Sequence, residues 1–173
     1  MQRTDEITND DHVRGPQDAA LTVIEYGDFQ CPYCARAHAA LTELGRELPL
    51  RLVFRHLPLP DLHPLAELAA EAAEAAAAQD RFWPMHDLLY EQQRSVMEPD
   101  DLADLAATLD LDGLRFDADL AQHRHRPRVR RDLEAARSQG LHQTPTLYIN
   151  GKRYQGDSDR DSLSEALNAA LKT

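Results

Sequence analysis

The chain has 173 residues, 42% of them hydrophobic and 28% charged, with a formal net charge of −11. That length can bury a sizeable core as one domain, and the acidic balance argues against phosphate-driven nucleic-acid binding and against attraction to an anionic membrane surface. No stretch approaches the roughly 20 apolar residues of a membrane-spanning helix, and Met1-Gln-Arg-Thr-Asp-Glu6 lacks the apolar centre of a secretory leader, so the chain as written is expected in the cytosol without membrane insertion.

Residues 1–15 are polar and acidic without periodicity, which predicts a flexible tail closing at Gly15-Pro16 and a domain over 16–173. Leu21 to Gly27 reads as a strand carrying Leu21, Val23 and Ile24. Cys31-Pro-Tyr-Cys34 follows at once. Pro32 suits the first turn of a helix, where its missing N–H costs nothing, and that helix is expected to run to about Glu47 with Ala37, Leu41, Leu44 and Leu48 inward. Pro49 stops it, and Leu50 to Arg55 reads as a second strand, parallel to the first through a β-α-β crossover.

Leu65, Ala69, Ala72 and Ala76 then recur at helical spacing, with Glu67, Glu71 and Glu74 mostly off that stripe and expected in solvent. Further helical patterns cover Arg81 to Gln93, Asp100 to Leu109, about Asp112 to Gln122 and Pro127 to Ser138. Gly140 reads as a helix stop, Thr146 to Asn150 as a strand, and Asn150-Gly151 as a tight turn into Lys152 to Gln155. A last helix is predicted near Ser162, where Ser162-Leu-Ser-Glu165 matches a capping box, with Leu163, Leu167 and Ala170 apolar. The fold class is therefore α/β: a mixed sheet built as β-α-β then β-β-α, with a helical insertion at about 61–139.

The chain has two cysteines, both in the C-x-x-C pair. Thiol–disulfide exchange needs one accessible, low-pKa sulfur to attack and a second to resolve the mixed disulfide. At the mouth of a helix Cys31 suits the first role, and Cys34, one turn in, suits the second. A passive staple would close too small a loop to stabilise much. A zinc site would need two more ligands, for which His38, His56, His63 and His86 are the candidates, although none forms a compact ligand pair.

Glu25 stands six residues before Cys31 inside an apolar strand, where a carboxylate is costly unless paired or protonated. A raised pKa would let it relay a proton to or from Cys34. The alternative is a residue on the solvent side of an edge strand. Thr144-Pro145 precedes the late strand and gains meaning only beside the cysteine pair.

Cys31-Pro-Tyr-Cys34, Thr144-Pro145 and the inserted helical block together resemble the DsbA-like branch of the thioredoxin superfamily, over about Gly15 to Leu171. The segments Glu25 to Cys34, Phe54 to Leu59 and Phe82 to Leu89 look most like its soluble bacterial subgroup and like domains fused to sodium/proton antiporters. The resemblance implies a protein thiol–disulfide oxidoreductase with a redox-active Cys31–Cys34 disulfide and no other cofactor. It implies that Pro145 is cis and faces the cysteines, that the backbone of Thr144 pairs with an extended substrate, and that Glu25 is the family's buried glutamate. Thr144, Pro145, Pro32 and Tyr33 would then form the substrate-binding surface. Tyr33 stands where strongly oxidising members carry histidine, which leaves the direction of electron flow open.

Cys-Pro-Tyr-Cys is also the tetrapeptide of dithiol glutaredoxins, so glutathione is a candidate co-substrate beside a redox partner protein. A redox-sensing module tied to a transporter is the alternative to a turnover enzyme, and a monomer is expected. Trp83 and Met85 are read either as groove-lining or as core, and Arg55 and His56 either as charges near the site or as solvated ends. His123-Arg-His-Arg-Pro-Arg-Val-Arg-Arg131, with five arginines and two histidines, is either a docking site for an acidic partner or the exposed face of a helix buried through Val129, Leu133 and Ala136.

Overall fold

The computed structural model describes residues 6–94 and 98–172. Their elements in order are β1 (His12–Arg14), β2 (Leu21–Gly27), α1 (Pro32–Glu47), β3 (Leu50–His56), α2 (Ala66–Ala77), α3 (Phe82–Glu91), α4 (Pro99–Thr108), α5 (Gly113–Ala121), α6 (Arg126–Ser138), β4 (Thr146–Ile149), β5 (Lys152–Arg153) and α7 (Arg160–Ala170). The strands form one sheet in the order β1-β3-β2-β4-β5. β2 and β3 run parallel, and β4 is antiparallel to β2. β5 returns beside β4 through Asn150-Gly151. Both turn residues have positive φ, 46° and 78°, as a tight hairpin turn demands.

Alternation along β2 fixes the two faces of the sheet. Leu21 and Val23, with Leu52, Leu147 and Ile149, meet Leu41 and Leu44 of α1 and Leu163 and Leu167 of α7. Ile24 and Tyr26, with Val53 and Tyr148, meet Leu133 and Ala136 of α6. Glu25 is registered with Phe54 and Leu147, so it points to the α1 side. Burying Leu21, Val23, Leu41 and Leu44 alone is worth on the order of 1.5–3 kcal/mol each, and that face holds α1 in place.

Three expectations are corrected. The segment read as a flexible tail supplies the edge strand β1, paired antiparallel with β3; its Met1 to Asp5 portion lies outside the described residues. Side chains hold β1: Asp11 to Arg55 at 2.7 Å, His12 to Glu74 at 2.7 Å and Arg14 to Asp87 at 2.8 Å. On α2, Glu71 and Glu74 are buried, since nearly the whole circumference of that alanine-rich helix is covered. Glu71 accepts from His123 at 3.1 Å and Arg126 at 3.2 Å, and Glu74 pairs with His12 and with His56 at 2.8 Å. Finally, α7 begins two residues before Ser162, because the Asp159 carboxylate accepts from the Ser162 N–H at 3.0 Å and takes the cap.

The basic run from His123 to Arg131 is taken up by ion pairs with carboxylates of the same chain. Arg124 and His125 pair with Asp119, Arg126 with Glu71, Arg128 with Asp132, Arg130 with Glu67 and Arg131 with Asp10. Val129, Leu133 and Ala136 form the buried stripe of α6. Among the described residues no helix is long and apolar enough to cross a membrane.

Candidate active site

The parallel strand β2 ends at Gly27, and the loop 28–30 turns the chain into α1. Cys31 occupies the N-cap in an extended conformation, with Pro32 in the first turn. Asp28 ties the loop down: its carboxylate accepts from the N–H of Gln30 at 2.7 Å and of Leu59 at 2.9 Å, and it bonds His63 Nδ1 at 2.8 Å. Gln93 donates to the carbonyls of Phe29 at 2.7 Å and Cys31 at 2.9 Å. The helical insertion thus holds the cysteine loop from behind.

Both cysteines are free thiols. Cys34 is fully buried and Cys31 is 3% exposed, less open than an attacking sulfur was expected to be. The cause is the loop before β4: the Cys31 thiol lies 3.5 Å from the Thr144 carbonyl oxygen, its acceptor. The Thr144–Pro145 peptide is cis, and both residues are half-buried beside the sulfur. Pro32 and Tyr33 lie on the outer side; Tyr33 is 58% exposed, with the Arg36 guanidinium 5.6 Å from its ring.

The two sulfurs differ in acidity. A hydrogen bond from Cys34 is the main reason that the Cys31 pKa falls to about 6; burial opposes it, and the Thr144 side chain and the N–H groups of Cys34 and Tyr33 add to it. Those N–H groups are the unpaired donors of the helix N-terminus. Burial, reinforced by the hydrogen bond that Cys34 gives Cys31 and by the Glu25 charge, holds the Cys34 thiol well above its ordinary value. Glu25 is fully buried. Burial, then the Cys31 charge, pushes its pKa up to about 8, with Arg14 opposing.

The remaining candidates lie elsewhere. Arg55 faces the opposite side of the sheet, bonded to Asp11 at 2.7 Å and to the Tyr26 hydroxyl at 2.8 Å. His56 belongs to the His12–Glu74 cluster. Met85 is core, and Trp83 donates to the Val13 carbonyl at 3.1 Å, which fastens β1 to α3. Of the four zinc candidates, His38 and His86 gather around Asp87 and His63 bonds Asp28; among the described residues no group of metal-ligating side chains includes a cysteine. The loop anchors Asp28 and Gln93, and Tyr90 of α3, escaped sequence reading. The one local signal was Asp28 directly after the strand.

A thioredoxin family profile, Thioredoxin_4, matches residues 7–169, and the chain belongs to that family. It is 48% identical over 162 residues to the Na(+)/H(+) antiporter NhaA 1 of Salinispora arenicola, a match covering 93% of this chain and 25% of that protein. The chain therefore spans about a quarter of the length of the curated relatives it matches. BdbD from Bacillus subtilis, solved in its oxidised form, superposes with a TM-score of 0.81 at 25% identity, over 95% of this chain and 94% of that one. A thioredoxin-like oxidoreductase from Silicibacter pomeroyi gives 0.80 at 26% identity, over 96% and 95%. The fold is that of the DsbA-like thiol–disulfide oxidoreductases.

Proposed function

We propose that this protein is a thiol–disulfide oxidoreductase that exchanges disulfides with protein or peptide substrates through Cys31 and Cys34. The observation that carries the reading is the contrast between the two sulfurs: Cys31, with its pKa near 6, is about 90% thiolate at pH 7, while Cys34 stays protonated until it is needed. In the reducing direction the Cys31 thiolate attacks a substrate disulfide, one substrate sulfur leaves as a thiolate, and a mixed disulfide forms. With the Cys31 charge gone in the mixed disulfide, Glu25 loses one of the two influences that keep it protonated; as a carboxylate it takes the proton of Cys34, whose thiolate attacks Cys31 Sγ. The second substrate thiolate leaves, the Cys31–Cys34 bond closes, and two electrons have passed to the substrate. The oxidised pair runs the same steps backward.

Thr144 and Pro145 form the wall against which an extended substrate lies, with Pro32 and Tyr33 at its rim. A partner dithiol protein or glutathione regenerates the pair. Cys34→Ser is expected to trap covalent adducts through Cys31 with oxidised test proteins; trapping through position 34 instead, in a Cys31→Ser chain alone, would reverse the assigned roles. The reduction potential of the pair, measured against glutathione, sets the direction of flow.

The 25% coverage of antiporter relatives favours one further reading, a redox-sensing unit joined to a transporter. There the state of Cys31–Cys34 changes binding rather than turnover. Multiple turnovers of insulin reduction with dithiothreitol as reductant support the enzyme; a single stoichiometric turnover supports the sensor.

A further inference from the structure

Between β2, α1 and α3 lie four buried groups with side-chain atoms that have no hydrogen-bond partner among the described residues: the Glu25 carboxylate, the Tyr90 hydroxyl, His38 Nδ1 and His86 Nε2. Buried polar atoms are nearly always satisfied, so five on four neighbouring groups need a cause. Glu25 and Gly27 share a face of β2, and a methyl group on Gly27 would stand 2.7 Å from the Tyr90 oxygen. That hydroxyl therefore rests against β2 one residue pair beyond Glu25. The Tyr90 ring stacks on His38 with centroids 5.2 Å apart and meets His86 edge-on at 5.1 Å; the two imidazoles are 5.2 Å apart. His38 follows Cys34 by four residues on α1, so the two share its buried face.

The far end of this row reaches the surface. His86 Nδ1 lies 3.0 Å from Asp87 Oδ1, and Asp87 also accepts two bonds from Arg14 at 3.0 and 2.8 Å. A carboxylate held ionised in this way only accepts, so His86 donates from Nδ1 and turns an unprotonated Nε2 inward. The Asp87 side chain is 30% exposed.

We propose that His86, oriented by Asp87, receives the proton that Glu25 takes from Cys34 and passes it to solvent, with His38 and Tyr90 lining the route and water bridging its gaps. This rests on the relay role given to Glu25 above. When Cys34 attacks Cys31, its proton moves to the Glu25 carboxylate, then to His86 Nε2, while the Nδ1 proton leaves through Asp87; Glu25 returns to the carboxylate form in which it accepted, and the departing substrate thiolate carries the charge of Cys34. The groups facing the route are Arg14 of β1, Glu25 of β2, Cys34 and His38 of α1, and Asp87 and Tyr90 of α3, with Asp28 and Cys31 in the loop. Burial first, together with the Arg14 charge, keeps both imidazoles neutral against the pull of Asp87, so His86 holds the proton only in passing.

The test is stopped-flow reaction of the reduced protein with 5,5′-dithiobis(2-nitrobenzoate). The first nitrothiobenzoate released reports attack by Cys31 and the second reports resolution by Cys34. For His86→Ala the first phase is expected to keep its rate while the second slows on the order of 100-fold near pH 7, with recovery on adding free imidazole. Asp87→Asn should slow the second phase in the same direction and serves if His86→Ala fails to fold. A second phase at the parent rate in the folded variants overturns the proposal, and so does equal slowing of both phases without response to imidazole. Glu25→Gln separates the two readings: an unslowed second phase there removes the Glu25 relay itself.

Discussion

Cys31 Sγ and the Thr144 carbonyl oxygen meet at 3.5 Å although 113 residues separate them in the chain. Packing β4 against β2 thus brings the Thr144 loop to the sulfur. The Thr144 side chain, apart from that carbonyl contact, also lowers the Cys31 pKa through a hydrogen bond. Thr144→Val is expected to move that pKa up from about 6 and to slow alkylation by iodoacetamide at pH 6, which a pH series read by thiolate absorbance at 240 nm will show. An unmoved titration would mean that the helix N-terminus and Cys34 suffice.

Glu25 makes stability fall as pH rises. Its pKa goes from 4.5 to about 8 on folding, so between those values the folded chain binds more protons than the unfolded one, and the stability present below 4.5 is progressively lost. At pH 7 the cost is roughly 3 kcal/mol. Glu25→Gln is expected to raise the unfolding midpoint at pH 8 and to change it little at pH 4, as denaturant titration at the two pH values measures.

Glu74 works with the opposite sign. Burial raises its pKa, but hydrogen bonds from His12 and His56 outweigh this and hold it below the ordinary carboxylate range. Its contribution is therefore complete above the unfolded pKa and lost as pH falls through the folded one. Glu74→Ala removes the carboxylate that His12 and His56 both bond, leaves the buried His56 Nε2 without its partner and undoes the clasp on β1; it is expected to cost about 1–3 kcal/mol at pH 7, read by urea unfolding.

Gly27→Ala tests the packing behind the cysteines. The added methyl would lie 2.6 Å from the Phe54 ring and 2.7 Å from the Tyr90 hydroxyl. A loss of about 1–3 kcal/mol is expected, and a parent-like unfolding midpoint would show that Tyr90 yields freely.

The elements nearest the chemistry were the most legible. Leu21 to Gly27, Cys31 and Pro32 carry strand, cap and first-turn signals within a dozen residues, and those signals are local. β1 was illegible because His12, Val13 and Arg14 have no apolar alternation; their strand is held by partners 44 to 73 residues away, at Arg55, Glu74 and Asp87. Glu71 and Glu74 deceived for a similar reason. An acid on an alanine helix reads as solvated unless the His123, Arg126, His12 and His56 that meet it are known. At α7 two capping residues competed, and Asp159 outranked Ser162 by starting the helix earlier.

Both margins of the sheet are short and polar: His12–Arg14 on one side, and the exposed pair Lys152–Arg153 on the other. Such margins offer an incoming polypeptide few free backbone groups and a cation at each end, which discourages it from joining the sheet as an extra strand. Under the proposed function, an extended client is thereby steered away from the sheet margins and toward the segment at Thr144 beside the sulfurs, so that contact and chemistry coincide.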